Sequence, residues 1–229
     1  MYLENAIAKS CNIFFYDLGR RLGISRIAKH ASRLGLGEKT GIDLPGERSG
    51  IVPGPEWKKA TSGEPWYPGE TIPVSIGQGA VSTTPLQMLR AVCALANGGY
   101  VVTPHLLLEA DRAGAAPEWP VRRVAIDEGA LGRIREGMWR GVNQGGTGRN
   151  AAVPGRDICG KTGTVQTVSK ETQKRFPGAA VNHAWFAGFG SKENPEIAVV
   201  VFLENGGSGG GAAAPLARGI FEVFYSNKE

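Results

Sequence analysis

A short apolar lead, Ile158-Cys159-Gly160, runs directly into Lys161-Thr162-Gly163-Thr164. The stretch reads as a strand, and a glycine inside a strand is costly unless another backbone must come close to it. With an ammonium and two hydroxyls beside it, such a strand can take an extended peptide along its length and hold a carboxylate and a carbonyl. The chain must therefore build a sheet around 157–165. Two further strand candidates, 183–190 and 196–204, are joined by the turn Ser191-Lys192-Glu193-Asn194-Pro195, which predicts an antiparallel arrangement.

The rest of the chain reads mostly as helix and turn. Leu3, Ile7, Phe14, Leu18 and Leu22 fall roughly on one face and predict a helix from near Met1 through Leu22. A second helix is expected over 24–34, ended by Gly35 and Gly37. From Gly46 to Gly79 prolines and glycines recur, so this segment is expected to be an irregular surface excursion. Thr84-Pro85-Leu86-Gln87 then combines a capping hydroxyl, a proline at the first helical position and a glutamine that completes a capping box. That helix should run to Ala96 with Leu86, Leu89, Val92, Cys93 and Ala96 inward. Short strands are expected around 100–110 and 121–126, and Asp127 should cap a helix through Val142 carrying Leu131, Ile134, Met138 and Val142 at helical spacing. After the turn Gly145-Gly146-Thr147-Gly148 come the strands, a glycine-rich loop over 206–211 and a closing helix over 212–225. The fold class is α+β, with helices packed on an antiparallel sheet.

Composition bounds what such a chain can do. Its 229 residues, 41% of them hydrophobic, suffice for a core in one domain, and no apolar run is long enough to cross a membrane. The formal charge of +5 is spread along the chain, so a nucleic-acid footprint is not indicated. Cys11, Cys93 and Cys159 are odd in number and widely spaced, which excludes a fully paired disulfide framework and shows no zinc-finger spacing.

Ser10-Cys11-Asn12, Lys161-Thr162-Gly163-Thr164 and the text between them resemble the transpeptidase domain of class B penicillin-binding proteins, the elongation enzymes most closely. The stretches Thr40-Gly41-Ile42-Asp43-Leu44-Pro45-Gly46-Glu47, Gly63-Glu64-Pro65-Trp66-Tyr67-Pro68-Gly69, Ser75-Ile76-Gly77-Gln78-Gly79 and Ala94-Leu95-Ala96-Asn97-Gly98-Gly99 carry the same resemblance in order along 1–229. A lone Lys-Thr-Gly is weak evidence; the ordered series is strong. The resemblance implies the penicillin-binding and β-lactamase-like fold and a D,D-transpeptidase that acylates a serine with the D-Ala-D-Ala end of a peptidoglycan stem peptide. That serine would also take β-lactams. The family places it in a Ser-x-x-Lys, and no serine of this sequence is followed by a lysine three positions later. The chain is therefore expected to be the later part of such a domain, inactive by itself, with the nucleophile in preceding sequence.

By the same resemblance Lys161 supplies a fixed positive charge for the terminal carboxylate and is expected to face solvent in the cleft. The Thr162 and Thr164 hydroxyls donate to that carboxylate, and Gly163 lets the peptide approach. Ser10 shuttles a proton to the leaving amine, and Asn12 bonds the penultimate carbonyl. No cofactor is required for catalysis. A structural zinc in the complete protein is implied through Cys11, with its other ligands upstream. Stem peptides, β-lactams, a membrane glycosyltransferase and elongation-complex proteins are the implied partners, at the periplasmic face of the bacterial inner membrane. The alternatives are a serine β-lactamase or β-lactam sensor domain, and a non-catalytic binding or scaffold domain. His183, Trp66, Tyr67, Met138 and Trp139 read as structural, and Ser75 to Gly79 as either a tight turn or a wall of the cleft.

Overall fold

The structure, a computed structural model, describes residues 1–107, 119–166, 175 and 182–228. In chain order the helices are α1 (Leu3–Lys9), α2 (Asn12–Leu22), α3 (Ile24–Arg33), α4 (Pro55–Ser62), α5 (Thr71–Val74), α6 (Pro85–Ala96), α7 (Glu128–Asn143) and α8 (Ala214–Ser226). The strands are β1 (Tyr100–Val101), β2 (Arg122–Arg123), β3 (Cys159–Val165), β4 (His183–Gly190) and β5 (Ile197–Leu203). The chain forms two compact units, one of Met1–Cys11 with Asp127–Glu229 and one of Asn12–Ile126.

The first unit is built on the antiparallel sheet β3-β4-β5. Lys161 lies opposite Ala187, Thr162 opposite Phe186 and Gly163 opposite Trp185. Side chains alternate between the faces of a strand, so Phe186, Val199 and Val201 share one face, and they are buried with Ala214, Ala217, Phe221 and Tyr225 of α8. Burial of each large apolar side chain there stabilises by about 1.5–3 kcal/mol. Asp127 caps α7 through its Oδ1, which accepts the Ala130 N–H at 2.8 Å.

The second unit has helices and a two-stranded ladder in which Tyr100 pairs with Arg123 and Val101 with Arg122. The predicted capping box of α6 is present, with Gln87 N–H donating to Thr84 Oγ1 at 3.2 Å and Thr84 N–H to Gln87 Oε1 at 2.9 Å. The expected strand over 100–110 is limited to Tyr100–Val101, and residues 108–110 lie outside the described residues.

Three expectations are corrected. The helix predicted through Leu22 breaks at Ser10, which takes the left-handed conformation (φ 53°, ψ 51°) as the C-cap of α1. Ser10 N–H donates to Ile7 O at 3.1 Å and Cys11 N–H to Ala6 O at 3.0 Å, so the cap satisfies carbonyls a continuous helix would bond otherwise. The segment 46–79 is not wholly irregular, because Pro55 starts α4 at a position where a missing N–H costs nothing, and Gly54 and Gly63 bound it. The inward face of α6 includes Gln87 and Arg90, both buried, while Leu86, Leu89 and Cys93 are only partly buried. Polar groups can turn inward there because backbone carbonyls receive them: Gln87 Nε2 donates to Glu38 O and Ser49 O at 2.6 Å each, and an Arg90 Nη donates to Gly35 O at 2.7 Å.

Candidate active site

Lys161 sits in the middle of β3, on the opposite sheet face from Phe186. Its Nζ donates to Ser10 Oγ at 2.9 Å and to Thr162 O at 2.6 Å. Among the described residues no carboxylate pairs with it. Burial without a counter-ion disfavours the charged form, and pushes the ammonium pKa down from 10.5 to about 8. The expectation that Lys161 faces solvent is therefore corrected: the side chain is partly buried, and its lowered pKa of about 8 still leaves the ammonium charged at neutral pH.

Ser10 reaches the lysine because of its backbone. The left-handed turn ends α1 and presents the hydroxyl toward β3, joining residues 151 positions apart in sequence. Cys11 is a partly buried free thiol, and Asn12 is exposed as the first residue of α2, in the second unit. Among the described residues no cluster of three His, Cys, Asp or Glu side chains could hold a metal ion, and Cys11 is the one residue of this chain that the resemblance named as a zinc ligand.

Thr162 donates from Oγ1 to Thr147 Oγ1 at 2.7 Å. Thr164 is exposed, and its Oγ1 accepts the Gly209 N–H at 3.2 Å. The close approach that Gly163 predicts is made in part by the chain itself. A Cβ on Gly209 would stand 2.4 Å from both Gly163 O and Trp185 O, so only a glycine there lets the 209–213 turn lie against β3 and β4.

The residue that sequence reasoning missed is Thr147. Its turn was legible only as a turn, and the remaining signal was a hydroxyl set among three glycines at 145, 146 and 148. The residues read as structural have local partners. His183 Nδ1 accepts the Asn205 N–H at 3.0 Å, Trp139 Nε1 donates to Asp157 Oδ1 at 2.7 Å, and Met138 is buried. Trp66 Nε1 donates to Thr71 Oγ1 at 3.0 Å, and Lys58 Nζ lies 4.4 Å from the centre of the exposed Tyr67 ring. Ser75 closes α5, its Oγ donating to Ile72 O at 2.6 Å.

Comparison with known proteins adds an independent line. A family model described as the penicillin-binding protein transpeptidase domain matches residues 1–222. The peptidoglycan D,D-transpeptidase MrdA of Acinetobacter baumannii is 41% identical over 237 residues, covering 99% of this chain and 35% of that protein. The protein of the same name from Escherichia coli K12 is 35% identical, covering 96% of this chain and 36% of its own length. Among solved structures, PBP2 of Pseudomonas aeruginosa in complex with WCK 5153 superposes with a TM-score of 0.85 at 36% identity, over 98% of this chain and 49% of that one. PBP2 of Helicobacter pylori, in a complex with MreC, gives 0.82 at 30% identity over 98% of this chain and 41% of that one. This chain thus spans about a third of the length of the curated relatives it matches.

Proposed function

The chain belongs to the family of penicillin-binding-protein transpeptidase domains, and on that premise we propose that it forms the proton-relay and carboxylate-binding part of a D,D-transpeptidase that cross-links peptidoglycan stem peptides during cell-wall elongation. The observation that carries this reading is the 2.9 Å hydrogen bond from Lys161 Nζ to Ser10 Oγ.

A serine supplied by sequence outside these 229 residues passes its proton to the neutral amine of the lysine in its own Ser-x-x-Lys and attacks the carbonyl of the penultimate D-alanine. The terminal D-alanine leaves once its nitrogen gains a proton, and the acyl group passes to an amine of a second stem peptide. Ser10 Oγ accepts from the Lys161 ammonium, which frees its own O–H to donate to the leaving nitrogen, and a lysine with a pKa near 8 can replenish that proton. The same ammonium with the Thr162 and Thr164 hydroxyls holds the substrate's terminal carboxylate, and the Thr164 N–H supplies half of an oxyanion hole.

This reading takes the periplasmic face of the inner membrane as the site of action and a membrane glycosyltransferase and elongation proteins as partners. One relative was solved with MreC and another within a peptidoglycan synthase complex. Among the described residues no helix is long and apolar enough to cross a membrane.

The test is intact-mass spectrometry with a labelled penicillin. No covalent adduct is expected on the 229-residue chain, whereas the protein extended upstream through its Ser-x-x-Lys is expected to acylate, and to do so far more slowly as Ser10→Gly. An adduct on the unextended chain, or undiminished acylation in Ser10→Gly, overturns the relay.

A further inference from the structure

We infer that Thr147 is a positioning residue of this site, setting the orientation of the Thr162 hydroxyl and so the affinity for substrates that end in a free carboxylate. The inference rests on the transpeptidase reading above and extends it to a residue outside the Ser-x-Asn and Lys-Thr-Gly motifs.

Thr147 stands where three parts of the first unit meet. Its N–H donates to Ala8 O at 3.1 Å, two residues before Ser10, and Lys9 Nζ donates to Gly145 O at 3.1 Å, so the turn is fastened to the end of α1. Its hydroxyl accepts from Thr162 at 2.7 Å, next to Lys161. Its own carbonyl lies so close to Gly210 that a Cβ there would stand 2.6 Å away. The turn cannot drift from α7 either. Gly148 N–H donates to Gly141 O at 2.9 Å, and a Cβ on Gly146 would come within 2.5 Å of Gly141 Cα and 2.7 Å of Ala8 O.

A threonine hydroxyl has one proton and two lone pairs. With the Thr162 carbonyl held by Lys161 and its hydroxyl proton given to Thr147, the free lone pairs and rotamer of Thr162 are fixed before substrate arrives. Thr147 is exposed, and in accepting from Thr162 it keeps its own proton for an incoming anion or for water. When a carboxylate docks, Thr162 turns its proton to the anion, and Thr147, now without that donor, can donate back to Thr162 Oγ1. The pair thus forms a two-hydroxyl chain whose direction reverses with an anion at one end, and a chain-polarised donor holds an anion more strongly than a lone one.

The experiment uses the protein carrying its Ser-x-x-Lys segment. Acylation is followed with two thioester acyl donors that differ only in ending as a free carboxylate or as the matching carboxamide, in parent, Thr147→Val and Thr147→Ser, with melting temperatures recorded alongside. Thr147→Val keeps the shape and loses the hydroxyl, so it is expected to raise KM for the carboxylate donor roughly tenfold, the worth of one hydrogen bond to a charged group, with kcat and the carboxamide reaction near parent values. Thr147→Ser is expected to restore the carboxylate preference. Equal losses on both donors, a loss that serine does not rescue, or an unchanged KM in Thr147→Val would overturn the inference. A parent that acylates with neither donor would instead overturn the transpeptidase reading on which it rests.

Discussion

Each unit of the molecule draws a cation at least partly out of solvent, Arg90 fully and Lys161 in part, and the two are handled in opposite ways. Arg90 in the second unit is 6% exposed and spent on structure: its Nη atoms donate to Gly35 O at 2.7 Å, Glu38 Oε1 at 2.9 Å and Thr40 O at 3.3 Å. Among the described residues Lys161 in the first unit meets neutral oxygens, Ser10 Oγ and Thr162 O, and no carboxylate. That guanidinium gives its Nη donors to the loop and to the Glu38 carboxylate, so its charge is already answered. The charge of an ammonium left without an anion is not, and the fold bears that desolvation in the ground state. The difference separates a cation that holds a loop from one that, on the function proposed above, keeps a bond for a substrate.

The widest gap between the two should appear in activity. In the upstream-extended protein, Lys161→Ala is expected to slow penicillin acylation by roughly a hundred- to ten-thousandfold, the range for a lost proton-transfer partner, without lowering the melting temperature. Rapid-quench mass spectrometry reads the rate, and a melting temperature that fell with it would make Lys161 a structural cation like Arg90. The converse effect is on folding. Arg90→Ala leaves buried carbonyls unbonded and Glu38 short of a partner, and is expected to cost about 3 kcal/mol in denaturant unfolding. A loss no larger than that of a surface substitution would remove the contrast.

A pH series sharpens it further. The folded pKa of Lys161, about 8, lies below its ordinary 10.5, so between these values the unfolded chain binds more protons than the folded one. Stability is therefore expected to rise as pH climbs from about 8 toward 10.5, by at most about 3 kcal/mol, the free energy equivalent of that shift. Subtracting the denaturant midpoints of Lys161→Met, which lacks the titrating group, isolates this term. A rise of equal size in the variant would assign it elsewhere. The smallest effect concerns the packing around the site: Gly146→Ala places a methyl against Gly141 and Ala8 and is expected to destabilise by about 1–3 kcal/mol, measured by calorimetry.

What was legible in the sequence was written locally. Thr84 with Gln87, and Asp127 ahead of α7, announce their helices because a cap needs only three or four neighbouring residues. The strands around Lys161, Trp185 and Val199 announce themselves by apolar runs and an intervening turn, and the α+β class follows from them. The buried face of α6 was not legible, since periodicity counts apolar residues and Gln87 and Arg90 turn inward to carbonyls some 38 to 55 positions away. The motif residues Ser10 and Lys161 were found through a family resemblance, but the drying of Lys161 depends on what surrounds it in space. Thr147 carries no motif; only its contact with Thr162 marks it. The break at Ser10 was missed because the apolar spacing continues across it from Ile7 to Phe14.

That break bears on how this position can change over generations. A residue other than glycine in the left-handed region costs roughly 1–2 kcal/mol, with asparagine and aspartate the readiest exceptions, and branched side chains fit worst. Ser10 must satisfy that backbone and also offer a hydroxyl to Lys161. Threonine keeps the hydroxyl and strains the turn, whereas glycine and asparagine suit the turn and lose the hydroxyl. Single substitutions at this codon are thus trapped between two requirements, the backbone of the turn and the hydroxyl bonded to Lys161.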